Sequence, residues 1–296
     1  MNSSSISKFL FWLIVSVFSG TSLLISSVYL YLSPQLPDIE SLMQIELQIP
    51  LRIYTEDGQL ISEFGEQRRR PLEYNEIPKQ FVHALIAAED DRFFQHNGVD
   101  LKGLTRAAIQ LVRTGKKKSG GSTITMQVAK NYYLSSEKTF SRKFTEILLA
   151  LKIEQELSKE EILELYLNKI YLGKRAYGIE AAAQVYYGKS VSELELAQLS
   201  MLAGLPQAPS AANPINNPKR AKERRNYVLA RMLTLGFIDQ QQFDDAAKAK
   251  IIARYHGLKS EVEGSYIAEM VRHELYQQYG DDTYRLGFRV TTTLNS

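Results

Sequence analysis

The chain has 296 residues and a formal net charge of +3, with 44% hydrophobic and 23% charged residues. This length and composition are typical of a globular protein of one large or two small domains, and so small a net charge does not by itself indicate nucleic-acid binding. The chain contains no cysteine, which excludes a disulfide scaffold and a cysteine-ligated metal site. It also shows no internal repeat and no nucleic-acid-binding module, so we expect no nucleic acid among its partners.

A membrane-spanning helix is predicted over residues 9–32, which include no charged side chain. An apolar run of this length can cross a bilayer. Trp12 lies near one end and Tyr29 and Tyr31 near the other, where interfacial aromatic residues are common. A cleaved signal peptide is the alternative, but the run is long for one and no Ala-x-Ala-like cleavage site follows it.

The charges that flank this segment predict its orientation. Lys8 precedes the apolar run, whereas Arg52 is the first positive residue after it. The positive-inside rule therefore predicts a cytoplasmic tail at residues 1–8 and places the rest of the chain outside the cytoplasm.

Residues 33–50 are predicted to form an extended tether because prolines recur in this segment. A β-hairpin is predicted over residues 51–75, where an Asp-Gly pair at Asp57 separates two β-prone runs. Residues 76–250 are predicted to form the main, helical domain. Residues 251–296 are predicted to add a helix and a strand, and the strand is expected to pair with the hairpin in one small sheet.

The first candidate site lies at residues 89–98, which join two acids, two aromatics, a histidine and a glycine at the predicted end of a helix. Glu89 would lie at the negative end of the helix dipole, and such a position raises the pKa of a carboxylate toward that of a working base. The alternative is a solvated helix end at which Asp91 and Arg92 form an ion pair. These residues alone do not decide between the two.

The second candidate site begins with a Gly-Gly-Ser-Thr sequence at Gly120. Ser and Thr are typical helix caps, and free backbone N–H groups at a helix start bind anions such as phosphate. Thr123, Gln127 and Lys130 then recur on one face of the predicted helix. An ordinary capped helix with a polar face is the alternative.

The third candidate site is a cationic patch beside a second acid, formed by Arg142, Lys143 and Glu146. The alternative is a surface ion pair between Arg142 and Glu146, worth only a few tenths of a kcal/mol. The apolar stripe of this helix is predicted at Phe140, Phe144, Leu148 and Leu151. A later basic run at residues 219–225 could bind phosphates or bilayer headgroups, but it is interpreted mainly as a solvated helix face.

The chain resembles the family 51 glycosyltransferases, the peptidoglycan polymerases of class A penicillin-binding proteins. Five motifs carry this resemblance in the following order: Glu-Asp-x-x-Phe-x-x-His-x-Gly from Glu89, Gly-Gly-Ser-Thr-Ile-Thr from Gly120, Arg-Lys-x-x-Glu from Arg142, Glu-Leu-Tyr-Leu-Asn from Glu164 with the glycines and alanines up to Lys189, and Leu-Ala-Gly-Leu-Pro-Gln-Ala-Pro from Leu202. Met126 stands where the family pattern has a glutamine.

The resemblance implies a mainly α fold: a lysozyme-like helical glycosyltransferase domain with a membrane-facing jaw lobe around residues 110–140, one N-terminal transmembrane helix and a small β element. It implies polymerisation of lipid II into glycan strands. In that reaction the growing chain is transferred from undecaprenyl pyrophosphate to the 4-hydroxyl of the acceptor, with inversion. The expected location is the bacterial inner membrane, with the catalytic domain in the periplasm.

The resemblance also assigns roles to residues. Glu89 is the expected base, and Glu146 the second catalytic acid, which either holds a metal or positions the leaving group. Asp90, Phe93 and His96 are expected to support Glu89. The expected substrate-binding residues are Ser122, Thr123, Gln127, Lys130, Arg142, Lys143, Tyr166, Asn168 and Lys189.

Further ligands follow from the same resemblance. A divalent cation, Mg²⁺ or Mn²⁺, is the expected cofactor. The expected partners are lipid II and the growing lipid-linked glycan, the bilayer, phosphoglycolipid inhibitors of the moenomycin type and other cell-wall synthesis proteins.

Two other functions remain open from the sequence: a hydrolase that cleaves glycan strands, since paired acids on a lysozyme-like fold suit that reaction, and a non-catalytic membrane-tethered scaffold. A transpeptidase domain requires Ser-x-x-Lys together with Ser-x-Asn and Lys-Thr-Gly elements. The Ser-x-x-Lys matches at Ser5 and Ser135 lack the other two. Because residues 291–296 resemble the linker before such a domain, we expect the chain to be part of a bifunctional protein.

Overall fold

The computed structural model of the protein describes residues 3–39, 50–65, 70–115, 121–133, 140–256, 262–284 and 286–296. The first helix, α1, covers Ser3–Leu32 and includes the segment predicted to cross a membrane. Among the described residues, no helix combines the length and the apolar character needed to span a bilayer. The membrane-spanning segment therefore stays a prediction.

A three-stranded sheet forms from distant parts of the chain. Strands β1 (Leu51–Tyr54) and β2 (Leu60–Phe64) pair in antiparallel fashion, and β3 (Arg289–Thr291) pairs in parallel with β1. Gly58 has a φ of +85° in the turn between β1 and β2, a conformation that glycine adopts at little cost. The predicted hairpin and its pairing with the C-terminal strand are confirmed.

Helices form most of the remaining described chain. They are α2 (Lys79–Glu89), α3 (Leu101–Thr114), α4 (Ile124–Tyr133), α5 (Phe140–Glu156), α6 (Lys159–Lys169), α7 (Ile179–Tyr187), α8 (Leu196–Ala203), α9 (Pro218–Thr234), α10 (Gln240–Lys248) and α11 (Ser265–Tyr279). A capping box of Ser158 and Glu161 begins α6, because these two residues satisfy each other's backbone N–H groups. The prediction of a mainly α fold with a small β element is confirmed.

The main core surrounds α2. This helix packs against α8 and α9, while α4 packs against α5 and α6. Phe81, Leu85 and Ile86 of α2 are buried in one continuous core with residues of α4 to α10. A smaller cluster lies under the sheet, where Ile53 and Ala268 bring α11 against the strands. Burial along α2 fixes the direction of its last residue, Glu89.

Helix α5 buries a different face from the one predicted. Its buried residues include Glu146, Leu149 and Ile153, which follow a helical spacing, whereas Phe144 and Leu151 are largely exposed. The predicted apolar stripe of α5 is therefore wrong at Phe144 and Leu151, whereas Leu148 is partly buried and the side chain of Phe140 lies outside the described part of the chain. The helix is rotated so that the carboxylate of Glu146 faces inward between two cations of its own helix.

The segment after α1 contacts the helical domain. Tyr133 of α4 donates a hydrogen bond to the carbonyl of Asp38 (3.0 Å), and Lys152 of α5 donates one to the carbonyl of Pro37 (3.3 Å). The side chain of Ile39 is 1% exposed and belongs to the main core. The prediction of an extended tether is wrong for Ser33–Gln35, which form a short 3-10 helix. Residues 37–39 are attached to the helical domain by the contacts above, and residues 40–49 lie outside the described residues.

Candidate active site

A polar cleft lies where α2 ends, with a cavity volume of about 270 Å³. The first and second motifs meet there. The cleft is lined by Glu89, the last residue of α2, and by Asp91 just after it. It is also lined by Ser122, in the turn before α4, and by Gln127 of α4. The cleft is also lined by Gln207 and by three residues of α9, Arg224, Tyr227 and Arg231.

Glu89 is the last residue of α2, and only 13% of its side chain is exposed. Burial raises the pKa of its carboxyl above the ordinary value because a desolvated carboxylate is disfavoured. A hydrogen bond from Gln127 Nε2 to Glu89 Oε2 (3.1 Å) and the guanidinium of Arg224, 3.7 Å from Oε1, oppose this rise in pKa. The direction of the shift agrees with the prediction, but burial is its main cause and not the end of the helix.

Asp90 connects the end of α2 to the start of α4. Its carboxylate accepts a hydrogen bond from the backbone N–H of Ile124 (3.0 Å) and contacts His96 Nε2 (3.1 Å). Phe93 is fully buried, and the ammonium of Lys159 lies over its ring, 4.3 Å from the centroid. The three residues expected to support Glu89 thus lie in one network beside it.

The ion pair expected in the alternative interpretation of this segment does not form. Asp91 pairs with Arg231 of α9 (2.6 Å), and Arg92 pairs with Asp100 (2.7 Å). The Asp91–Arg231 pair attaches α9 to the end of α2. The segment around Glu89 is therefore part of the cleft wall and not a solvated helix end.

The start of α4 is already occupied by internal hydrogen bonds. Thr123 Oγ1 accepts a hydrogen bond from the N–H of Met126 (3.1 Å) and donates one to the carbonyl of Gly98 (2.5 Å). The N–H of Ile124 donates to the carboxylate of Asp90. The predicted anion site made of free N–H groups is therefore wrong at these two positions. Met126 is fully buried, so the residue that departs from the family pattern lies away from the cleft surface.

Side-chain cations of the third motif reach the start of α4. Lys143 donates hydrogen bonds to Ser122 Oγ (2.9 Å) and to Glu146, and Arg142 lies 3.5 Å from Glu146. Lys130 is exposed on α4, and its charge opposes the rise in the pKa of Glu89 that burial causes. Lys143 therefore brings a positive charge to Ser122, on the α4 side of the cleft.

The described residues do not fit a resident divalent cation. Within them, no group of three or more His, Asp or Glu side chains could hold a metal ion. Glu146, the expected metal ligand, is 3% exposed and pairs with two cationic side chains. A metal would have to compete with both of these cations for a single carboxylate.

Six of the predicted substrate-binding residues are not among those that line the cleft: Lys130, Arg142, Lys143, Tyr166, Asn168 and Lys189. Tyr166 is fully buried and donates a hydrogen bond to Gln127 Oε1 (3.3 Å). The side-chain amide of Asn168 bonds both the N–H and the carbonyl of Leu72. Lys189 is exposed in the turn after α7 and is not among the residues that line the cleft. A direct substrate contact by Tyr166 is corrected to an internal one, since the side chain has no exposed surface.

Helix α9 supplies site residues that the sequence interpretation missed. Arg224 donates a hydrogen bond to the carbonyl of Gly204 (3.1 Å) and stacks on Tyr227, 4.7 Å from the ring centroid. Arg225 is buried and donates to the carbonyls of Ala247 and Ala249. The interpretation of this run as a solvated face is wrong for both arginines. The spacing of Arg224, Tyr227 and Arg231 by three and four residues could have indicated one common face.

A sequence model of the transglycosylase family matches residues 57–233, and the chain belongs to this family. Among its relatives is penicillin-binding protein 1A of Pseudomonas aeruginosa, 58% identical over 98% of this chain and 35% of the relative. Penicillin-binding protein 1A of Escherichia coli is 51% identical over 91% of this chain and 32% of the relative. The chain thus spans about a third of these relatives' length.

A solved structure gives the same assignment. The crystal structure of penicillin-binding protein 1A from Haemophilus influenzae matches with a TM-score of 0.51 at 36% identity, over 85% of this chain and 28% of that chain. The resemblance noted from the sequence motifs is therefore confirmed. The expected domain boundaries stay a prediction.

Proposed function

We propose that this chain is a peptidoglycan glycosyltransferase that polymerises lipid II, as part of a bifunctional penicillin-binding protein. The observation that carries the proposal is the buried carboxylate of Glu89 in a cleft whose α4 side is positively charged. A sugar hydroxyl is a weak nucleophile and requires a base, and a pyrophosphate leaving group requires cations. Glu89 lines the cavity, and the cation Lys143 reaches its edge through the hydroxyl of Ser122.

In the proposed reaction Glu89 is the general base. The oxygen of the acceptor 4-hydroxyl attacks the anomeric carbon of the donor while its proton passes to the carboxylate of Glu89. The bond from the anomeric carbon to the pyrophosphate oxygen breaks, and its electron pair leaves with the pyrophosphate. Attack opposite the leaving group inverts the anomeric centre. A raised pKa suits this role because a stronger base accepts a proton more readily.

The proposed position of the pyrophosphate is beside Ser122. Lys143 already reaches this hydroxyl, and Arg142 lies one residue away on α5. Fixed cations aimed at a developing negative charge stabilise the transition state without reorganisation. Because the described side chains do not fit a resident metal, this mechanism uses protein cations only, and the divalent cation stays a prediction from the resemblance.

The proposed location of the catalytic domain is the periplasmic side of the inner membrane, anchored by residues 9–32. The apolar side chains of α1 support this, since Phe11, Trp12 and Phe18 are exposed. Helix α3 exposes Leu101, Ile109 and Val112. A face of this kind suits the jaw lobe of a membrane-facing enzyme. The lysines at residues 116–118, a charge run that would suit anionic lipid headgroups, lie outside the described residues.

The test is to incubate the protein separately with lipid II and with finished glycan strands. We expect polymer from lipid II, and we expect Glu89→Gln to reduce its formation by about 10²–10⁴-fold, the usual contribution of a general base. Glu223→Gln is the matched control, because Glu223 is exposed on α9 and does not line the cleft. Near-normal turnover by folded Glu89→Gln would remove Glu89 from the base role.

The same assay separates the two other functions. A hydrolase would shorten finished glycan and make no polymer from lipid II. A scaffold would leave both substrates unchanged.

A further inference from the structure

The side-chain amide of Gln127 lies between Glu89 and a buried phenol. Its Nε2 donates to Glu89 Oε2 (3.1 Å), and its Oε1 accepts from the hydroxyl of Tyr166 (3.3 Å). A glutamine amide has a donor end and an acceptor end, so a partner at one end determines which end faces the other partner. The orientation of Gln127 therefore depends on Tyr166.

Tyr166 is suited to hold this orientation. Its side chain is fully buried in α6, and burial raises the pKa of the phenol well above its ordinary value, so the group stays protonated and able to donate. If the amide turned over, its carbonyl would face the carboxylate of Glu89. Two acceptors would then oppose each other, and the proton of the buried hydroxyl would lose its acceptor, which is costly.

We propose that Tyr166 is a positioning residue of the reaction, which fixes the amide of Gln127 so that it donates to the catalytic carboxylate of Glu89. This inference rests on the proposed role of Glu89 as base. A donated hydrogen bond favours the ionised carboxylate, which is the form that can accept the proton of the acceptor hydroxyl. Tyr166 thus acts on the reaction without contact with the substrate.

Other charges also face Glu89, and a substitution at Tyr166 leaves them in place. Asp90 neighbours it in the chain, Lys130 faces it from α4 and Arg224 faces it from α9. Without the phenol hydroxyl, the amide can present its carbonyl to Glu89 and accept a proton from the neutral acid. That arrangement favours protonated Glu89, so the loss of the hydroxyl should move the acidic limb of activity to higher pH.

The first test is the pH dependence of lipid II polymerisation by Tyr166→Phe. We expect the acidic limb of kcat to move up by about half to one pH unit, the size of shift that one hydrogen bond produces. KM should be unchanged, because Tyr166 has no exposed surface. Tyr132→Phe is the matched control: the hydroxyl of Tyr132 donates to the carbonyl of Leu165 (3.1 Å), and its loss removes a comparable bond between α4 and α6.

The second test repeats the substitution in a Gln127→Leu background. If Tyr166 acts through the amide, Tyr166→Phe adds no shift to the acidic limb of Gln127→Leu. The inference would be overturned if Tyr166→Phe moved the acidic limb equally in the Gln127→Leu background, or if Tyr132→Phe moved it equally. It would also be overturned if Tyr166→Phe left the acidic limb of kcat unmoved, or if this variant lost its cooperative thermal transition. Absence of polymerisation by the unaltered protein would instead overturn the proposed function, so the two failures are distinguishable.

Discussion

Glu89 occupies a position that favours its chemistry over its contribution to folding. Burial raises the pKa of the Glu89 carboxyl in the folded protein. The contribution of this group to stability is therefore fully present below the unfolded-state pKa of about 4.5. That contribution is lost as the pH rises through the folded-state pKa. The ionised form of the group therefore destabilises the fold relative to the protonated form.

We predict that Glu89→Gln raises the melting temperature at pH 7 to 8, because the neutral amide avoids the desolvation of a buried charge. The difference from the unaltered protein should shrink as pH falls and vanish below about pH 4.5, where the acid is protonated in both states. Thermal melts across this range provide the measurement. A lower melting temperature for Glu89→Gln at neutral pH would contradict the raised pKa.

A second residue-scale prediction concerns the cations near Ser122. Lys130→Ala and Arg142→Ala should each weaken binding of a moenomycin-type phosphoglycolipid by about tenfold or more, since charge-assisted hydrogen bonds contribute about 1.5–3 kcal/mol. Binding can be followed by fluorescence anisotropy of a labelled ligand. Lys222→Ala is the control, because Lys222 is an exposed cation on α9 that belongs to neither the second nor the third motif. Unchanged affinity in both test variants would place the phosphates elsewhere.

The sequence identified Glu89 and its neighbours Asp90 and Gln127, but not the arginines of α9 that face the cleft. Its acid pair and the glycine that follows form a local motif, and local motifs can be recognised without a structure. Arg224 and Arg231 lie more than 130 residues away along the chain and reach the cleft only because α9 packs against α2. Their contacts with Glu89 and Asp91 depend on tertiary packing, which no local pattern contains.

At the scale of elements, the loop after α2 depends on close backbone contact with α5. Gly98 has a φ of +84°, and a Cβ built there would lie 2.6 Å from the carbonyl oxygen of Ala150. A helix backbone cannot yield to relieve such an overlap. The loop that carries Phe93 and His96 can therefore lie this close to α5 only because residue 98 has no Cβ atom.

We predict that Gly98→Ala lowers the free energy of unfolding by more than Gly58→Ala does. Both glycines have a φ near +85°, but a Cβ at Gly58 meets nothing within 4 Å. The conformational cost at positive φ, about 1–3 kcal/mol, is common to both, so the excess at Gly98 measures the overlap with α5. Urea denaturation gives both values, and equal losses would show that the contact with Ala150 relaxes without cost.

Helix positions could largely be predicted from the sequence, but the face that a helix buries could not always be predicted. The capping box of Ser158 and Glu161 is a local signal, and α6 begins where it predicts. Helix α5 instead turns Glu146 inward, because Arg142 and Lys143 neutralise the carboxylate within the same helix. Apolar periodicity assumes that charged residues face water, and this assumption fails where a charge is paired.

At the scale of the whole molecule, the N-terminal segment is expected to affect activity as well as location. We predict that deletion of residues 1–33 reduces polymerisation of full-length lipid II in vesicles by up to about 10²-fold, because anchoring raises the effective concentration of enzyme near its substrate. The deletion keeps residues 37–39, whose contacts with α4 and α5 belong to the helical domain.

The comparison substrate for this deletion is a short-tailed lipid II analogue in solution. The loss of activity should shrink there, because no membrane surface concentrates the substrate. Equal rates for the deleted and complete proteins on both substrates would show that residues 1–33 do not contribute to catalysis.

The pairing of β1 with β3 has a mechanical consequence. The strands are parallel and join residues on either side of the helical domain, with Arg52 opposite Arg289 and Tyr54 opposite Thr291. A force that pulls β1 from its amino end and β3 from its carboxyl end acts in opposite directions along the two strands. All of the hydrogen bonds between them then bear the load together, which is the strongest way to load a sheet. The path of the force crosses these few residues and bypasses α2, α4 and α9, so the cleft can keep its shape while the protein is under tension.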